Sequence, residues 1–419
     1  MEPVSILTAI AFSILGSAMG LFTGLVPGIH VNTLASMLVV ASPGISAALQ
    51  GALPESQIPT DVCCMIMSAS VVHSYVDFVP SVFIGAPDAD TAVSVLPGHR
   101  MLLDGRGMAA VRSAAIGSLI GCSASILLAV PIQYVMMTGA SDILDQVTKA
   151  VLILVVCILM YNEYRKNQLL FGAIAFILSG AMGYAVMELP IPSDGLFGEG
   201  TLLMPMLTGL FGLPTMLMSS DGAKFPRQPD KEKDPVGIVP GLKGVLMGSV
   251  AGWFPGITST VGATVSATIL PDRTPERFIS TVASIGTVTS VLSLVTLSVS
   301  GSGRSGTVIA IGDILGDSIR GIMTEPFLLL LVSAAVGSAL GYALTIWSGR
   351  MMASFVERLR QDLLNKAVIA FLIIMVLLTT GFWGMVIMVA SLLIGFISVS
   401  CEDGKTVLCG CLMLPVIIM

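Results

Sequence analysis

The residues of this chain best suited to hold an anion occur twice. Gly16 to Gly28 read GSAMGLFTGLVPG and Gly244 to Gly256 read GVLMGSVAGWFPG, so that glycines 16, 20, 24 and 28 are matched by 244, 248, 252 and 256. In each copy a glycine every fourth residue lines one face of an apolar helix, and a Pro-Gly pair then breaks it. Donors follow each break: His30, Asn32 and Thr33 in the first copy, Thr258, Ser259 and Thr260 in the second. A helix that restarts inside a membrane exposes its first backbone N–H groups and carries about half a positive charge there. Such an end suits a carboxylate, and Gly28 and Gly256 let it reach the backbone. The competing reading is close helix packing, which small residues in membranes commonly provide. Two copies interrupted at one register favour a binding element over packing alone.

A second pair of segments corresponds in the same way. FIGAPDADTAVS at Phe83 to Ser94 and SVSGSGRSGTVIA at Ser298 to Ala310 align Gly85 with Gly301 and Thr91 with Thr307. They hold Asp88, Asp90 and Arg304. An intramembrane Arg is a bidentate partner for a substrate carboxylate, and a buried Asp is a site for a coupling H+ or Na+. The ion-site candidates are Asp88, Asp90 and Thr91, with Asp77 from the polar patch His73, Tyr75, Asp77. Alternatively these residues sit at a water-exposed loop end, or Asp88 and Arg304 form a structural ion pair. His30 and His73 are of the type that titrates near neutrality, or else serve as hydrogen-bonding packing residues.

These residues need a membrane scaffold, and the composition supplies one. The chain has 419 residues, 54% hydrophobic and 11% charged, with mean hydropathy +0.93. Soluble domains carry about 25% charged residues, so the chain is read as an all-α polytopic membrane protein with roughly 10 to 14 membrane helices, some of them half-helices. The net charge of −6 says little about partners, because the basic residues gather in short segments between apolar runs. Nothing in it calls for nucleic acid. The seven cysteines show no zinc spacing or disulfide framework and read as packing residues; no cofactor or metal is implied. The first apolar run lacks a basic n-region and a cleavage site, so it is expected to be a retained span.

Basic residues also order the topology. Arg100, Arg106 and Arg112, then Arg165 and Lys166, then the linker with Lys224, Arg227, Lys231, Lys233 and Lys243, then Arg350, Arg358, Arg360 and Lys366 mark one side. By the positive-inside rule that side is the cytoplasm. Segments 132–146 and 188–200 lack basic residues and fall outside, as does the N-terminus, since no Lys or Arg precedes Arg100. The expectation is two inverted-topology repeats, 1–218 and 238–419, joined by a polar cytoplasmic linker at 219–237, each opening with a hairpin whose Pro-Gly tip lies within or across the membrane. A duplicated, broken membrane helix points to a secondary transporter.

At these residues the chain resembles the TctA family, the large membrane subunit of tripartite tricarboxylate transporters, and more closely its shorter archaeal-type branch. The resemblance rests on the paired Pro-Gly segments at 16 to 36 and 244 to 266 and on LPGHRMLLDGRGMAAVRSAAIGS at Leu96 to Ser118, which contains the Asp-Gly-basic-Gly pattern as Asp104, Gly105, Arg106 and Gly107. It implies ion-driven uptake of organic polycarboxylates across the cell membrane, with a small membrane subunit and an extracytoplasmic binding protein as partners; a homodimer is compatible with it. Two other classes compete. In a membrane-embedded enzyme Asp88 and Asp90 would hold a metal against a lipid phosphate, but one Asp-x-Asp is a weak signal with no acidic counterpart in the second half. A passive anion channel would need a ring of like charges, and none repeats.

Overall fold

The computed structural model describes residues 3–27, 29–86, 91–196, 198–199, 201–218, 225–231, 234–253, 259–301, 303–399 and 404–418. The helices in chain order are α1 (Pro3–Leu25), α2 (Val31–Leu49), α3 (Ile58–Val76), α4 (Phe78–Phe83), α5 (Val95–Leu103), α6 (Gly107–Val135), α7 (Ser141–Arg165), α8 (Leu169–Glu188), α9 (Leu203–Leu207), α10 (Leu213–Met218), α11 (Val239–Trp253), α12 (Ser259–Ile269), α13 (Pro275–Ser300), α14 (Gly306–Leu315), α15 (Glu325–Val356), α16 (Gln361–Val399) and α17 (Gly410–Ile418). Eight described helices are long and apolar enough to cross a membrane. α2 extends beyond the apolar run that ends near residue 42, carrying Pro43 inside it.

Two helices form the centre. Every residue of α3 from Thr60 to Val76 is buried, as is most of α13. The glycine rows explain how their neighbours come so close. A methyl group at Gly16 or Gly20 of α1 would overlap the backbone of Met65 or Ala69 on α3; one at Gly244 or Gly248 of α11 would overlap Ser284 or Val288 on α13. The rows at 16, 20, 24 and 244, 248, 252 are therefore consumed by helix packing. The binding role proposed for the motif is left to the residues beyond the breaks.

Contacts along the helices give their directions. Thr8 meets Asp61, Ser17 meets Ser68 and Thr23 meets His73, so α1 runs parallel to α3; Ser333 meets Cys64 and Ser338 meets Tyr75, so α15 does too. Gly117 lies on Ser280 and Gly121 on Ser284, placing α6 parallel to α13 and α11. Cys122 faces Ala334 while Gly349 faces Val111, so α6 and α15 are antiparallel and the second trio opposes the first.

α16 is longer than a bilayer requires. Gly381, with φ 65° and ψ −153°, breaks it. Asn365 donates to the Met216 carbonyl and Gly395 lies against Pro214. In one straight helix residues 365 and 395 would stand about 45 Å apart, so the break turns the chain back as a helical hairpin.

One end of the bundle is tied by charge. Arg112 of α6 grips Asp230 of the linker with two hydrogen bonds, and Arg350 of α15 donates to the same carboxylate at 2.8 Å. Arg106 pairs with Glu276 and Lys243 with Asp272 at this end. Gln228 of the linker is buried, donating to Leu102 O and accepting from Gly107 N, while its own N–H donates to Glu357. The basic segments 100–112, 225–243 and 350–357 thus share one face. At the opposite face Gln133 donates to Ser298 and Gly321 O and accepts from Met323 N. There Asp194–Gly195 pairs with Gly198–Glu199, and Leu196 N–H donates to Leu378 O.

Candidate functional site

α1 ends at Leu25 and the chain turns through Val26 and Pro27; α2 then restarts with His30 as its N-cap, in extended conformation. His30 Nδ1 accepts the Asn32 N–H at 3.1 Å, and Thr33 N–H donates to His30 O. This restart is level with the second half of α3, because Gly24 packs on Val76 and the His73 carbonyl, about 27 Å along α3 from Ile58. The tip therefore lies beside the last turn of α3.

From the other half of the chain, α14 begins at the same place. Its N-cap Ser305 accepts from Val308 N–H, and Thr307 N–H donates to Asn32 Oδ1 at 3.1 Å. Asn32 sits so close that a methyl group at Gly306 would overlap it. Thr307 Oγ1 is also 3.3 Å from Ser70 Oγ of α3. The first turns of two helices, 275 residues apart in sequence, are thus joined through one carboxamide. Arg304, half-buried, immediately precedes Ser305.

α3 adds the titratable groups. His73 is 1% exposed, its ring centroid 5.0 Å from that of His30, and its Nδ1 lies 3.0 Å from Thr23 Oγ1 of α1. Asp77, also buried, follows one turn later. Ser74 approaches Ser290 of α13 at 3.5 Å. A polar cavity of about 200 Å³ opens between the C-terminal end of α13 and α14, lined in part by Gly301, Gly303, Asp313, Asp317 and Arg320, and reaches the residue next to Arg304.

Of the residues expected at the site, His30, Asn32 and Asp77 belong to this polar group and the Arg304 segment adjoins it. Thr33 does not: it is exposed, 100° further round α2 than Asn32 and outside the hydrogen-bonded cluster. Ser259 and Thr260 are buried at the start of α12. Val261 beside them shares a core with Ala92, next to the buried Thr91, so the start of α12 meets the 91–94 segment. Gly28, Gly256, Thr258, Asp88 and Asp90 lie outside the described residues. The expectation of open N–H donors is refined: those of Asn32, Thr307 and Val308 are taken by His30, Asn32 and Ser305.

Thr23, Ser70 and Thr307 were not legible as site residues, since single hydroxyls in small-residue runs carry no signal. Asp61 was legible and overlooked. It is fully buried in the first turn of α3, accepts from Thr8 at 3.1 Å, and is the one acid in the apolar run 60–76. Outside the membrane layer, the guanidinium of Arg112, with that of Arg350, holds the Asp230 carboxyl down at about 2.

The chain is 25% identical over 419 residues to the uncharacterized protein MJ1079 of Methanocaldococcus jannaschii, covering 97% of this chain and 98% of that one. No solved structure matches it. The model of the tripartite tricarboxylate transporter TctA family matches residues 10–402, nearly the whole length, and the chain belongs to that family.

Proposed function

We propose that this protein is the translocating subunit of an ion-coupled secondary transporter for di- or tricarboxylates, working by alternating access between two inverted halves, 1–218 and 238–419, joined at 219–237. The observation that carries the reading is the meeting of α2 and α14, one from each half, at Asn32 and Thr307. Supporting it, packing pairs recur with the halves exchanged: α1 on α3 and α11 on α13, α15 on α3 and α6 on α13, α17 on α8 and the 203–212 stretch on α16. The charged face fits the cytoplasmic side and the N-terminus the outside. A small membrane subunit and an extracytoplasmic binding protein are the partners expected of a tripartite system.

Two helix ends contribute only partial charges, so a desolvated polycarboxylate needs a full cation nearby. Arg304 would supply it, with Asn32 and His30 as polar ligands and Ser259 and Thr260 offering the second half's donors. Asp77 and Thr91, together with Asp88 and Asp90, remain candidates for the coupling ion. Reconstituted into liposomes together with those two partner subunits, the protein is expected to accumulate a di- or tricarboxylate under an imposed H+ or Na+ gradient. Arg304→Lys should weaken apparent affinity on the order of 30-fold by losing bidentate geometry. No accumulation from a panel of mono-, di- and tricarboxylates, or an unchanged affinity in Arg304→Ala, would refute this reading.

A further inference from the structure

Asp61 is a buried acid that no described cation compensates. α1 and α15 run parallel to α3, and Arg350 lies near the end of α15, so the first turn of α3 stands at the face opposite the basic segments. There Asp61 is fully buried: its Oδ1 faces the Thr8 hydroxyl at 3.1 Å, and its Oδ2 has no hydrogen-bond partner among the described residues. Charged groups on the elements around it are few. α1, α2 and α4 hold no Asp, Glu, Lys or Arg. Glu55 before α3, Asp313 of α14 and Glu325 of α15 are exposed, and Arg320 beyond α14 pairs with Asp317 and packs on Gly301. Glu276 and Arg277 of α13, Arg112 of α6 and Arg350 of α15 belong to the basic face. On α3 itself the Cys63 and Cys64 thiols supply no positive charge, and His73, with His30 beside it, and Asp77 lie about 18 and 24 Å further along.

The hydrogen bonds around Asp61 fit the protonated acid. Ser5 donates to Gln57 Oε1 at 3.2 Å, and the Gln57 amide donates to Thr8 Oγ1. The single hydroxyl hydrogen of Thr8 has two acceptors in reach, Ser5 O at 3.2 Å and Asp61 Oδ1 at 3.1 Å. With a proton on Oδ1, Asp61 donates to Thr8 and Thr8 donates to Ser5 O, so the hydroxyl uses its one hydrogen and both lone pairs. Ionised Asp61 takes the Thr8 hydrogen instead, which deprives Ser5 O and leaves Oδ2 charged and unpaired. One rotation of a hydroxyl thus serves both states. A metal cation would need several oxygen ligands, and Thr8 supplies the one described oxygen bonded to the carboxyl.

We propose that Asp61 binds the coupling proton of transport, taken up from the face opposite the basic segments; this rests on the transporter reading given above. The proton decides how closely the helices pack at this end. Ser333 of α15 donates to Cys64 O and meets Ser13 of α1, while Cys63 lies 3.9 Å from Ile311 O of α14, so elements of both halves pack on the turn that carries Asp61. Hydrating an ionised Asp61 requires them to part; a neutral one permits the closed packing. α3 and α14 touch again at Ser70 and Thr307, beside Asn32, so closure at Asp61 and the meeting of α2 with α14 belong to one pair of helices. Proton and carboxylate then favour the same conformation, and each raises the affinity for the other by the same factor.

Two readouts test this, one of them independent of transport. In infrared difference spectra of the protein in lipid nanodiscs, taken between pH 9 and pH 5, wild type should gain a carboxylic-acid C=O component that shifts in D2O and is missing from Asp61→Asn. Identical spectra for the two proteins overturn the proton site. In proteoliposomes that also contain the two partner subunits, citrate is the probe. Wild type should accumulate it under an imposed pH gradient alone. Asp61→Asn, which keeps the shape of the protonated acid, should exchange citrate within about twofold of wild type and accumulate it about 10-fold less or worse. Retained pH-driven accumulation in Asp61→Asn, or wild-type accumulation under a Na+ gradient but not under a pH gradient, overturns the coupling role and leaves carboxylate transport standing. No citrate transport under any gradient overturns the transporter reading and the coupling role together, while the infrared component still decides whether Asp61 takes a proton. Should Asp61→Asn fail to fold, Thr8→Val serves in its place: it removes the partner of Oδ1 and should move the frequency of the component, and an unmoved component overturns the proposal.

Discussion

The interface between α1 and α3 and that between α11 and α13 are built alike and furnished differently. In both, three glycines spaced by four press one helix onto the backbone of the next. Gly24 sits over His73 and Val76 as Gly252 sits over Thr289 and Leu292, so His73 answers to Thr289 and, four residues on, Asp77 answers to Ser293. The first interface carries His73 and Asp77; α13 has no charged or histidine residue between Arg277 and its end. The two interfaces share a packing scheme while His73 and Asp77 stand in only one of them, so close packing and the placement of titratable groups are separable demands.

The largest test of the shared part is steric. Gly16→Leu and Gly244→Leu each drive a side chain into the backbone or core of the facing central helix, at a cost above about 3 kcal/mol, and both should abolish a monodisperse folded peak in detergent. Tolerance of one but not the other would show that the two interfaces are not equivalent.

A smaller effect is expected where the trios are clasped. Asp230→Asn leaves Arg112 and Arg350 facing each other without their shared carboxylate and should cost about 2 kcal/mol, read as a fall of a few degrees in the thermal midpoint. Because the carboxyl is held down at about 2, below its ordinary value of about 3.9, its stabilisation is complete above that ordinary value and is lost as pH falls through the folded one. The gap between wild type and variant should therefore stay constant from pH 5 to 8. A gap that closes within that window would contradict the clasp.

Smallest should be Thr289→Val, the second-half counterpart of a change at His73. It removes only a hydroxyl that bonds back to Gly286 O at 2.8 Å, and citrate affinity should stay within about twofold. A larger loss would mean that this interface also carries chemistry.

What could be read from residues alone was whatever leaves a periodic or one-sided trace. The glycine rows, the Pro-Gly breaks and the grouping of Arg112, the 225–243 segment and Arg350 on one face were legible because packing in lipid selects small residues and because charge is expelled from it. The meeting of Asn32 with Thr307 was not, since nothing local ties residues so far apart. GxxxG spacing likewise declares a close approach without naming what approaches. The occupied state of the first-turn donors depends on that unseen partner.

The break at Gly381 bears on how the protein enters the membrane. From residue 367 to 401 there is no charged side chain, and Phe382 and Trp383 stand exposed at the turn. A loop without hydrophilic residues offers the insertion machinery no stop between the two arms, and the aromatic pair suits the lipid headgroup level. The two arms are therefore expected to be threaded as one unit, their orientation set by Arg358, Arg360 and Lys366 before them and Lys405 after them, so a charge placed at the turn should alter biogenesis before it alters transport.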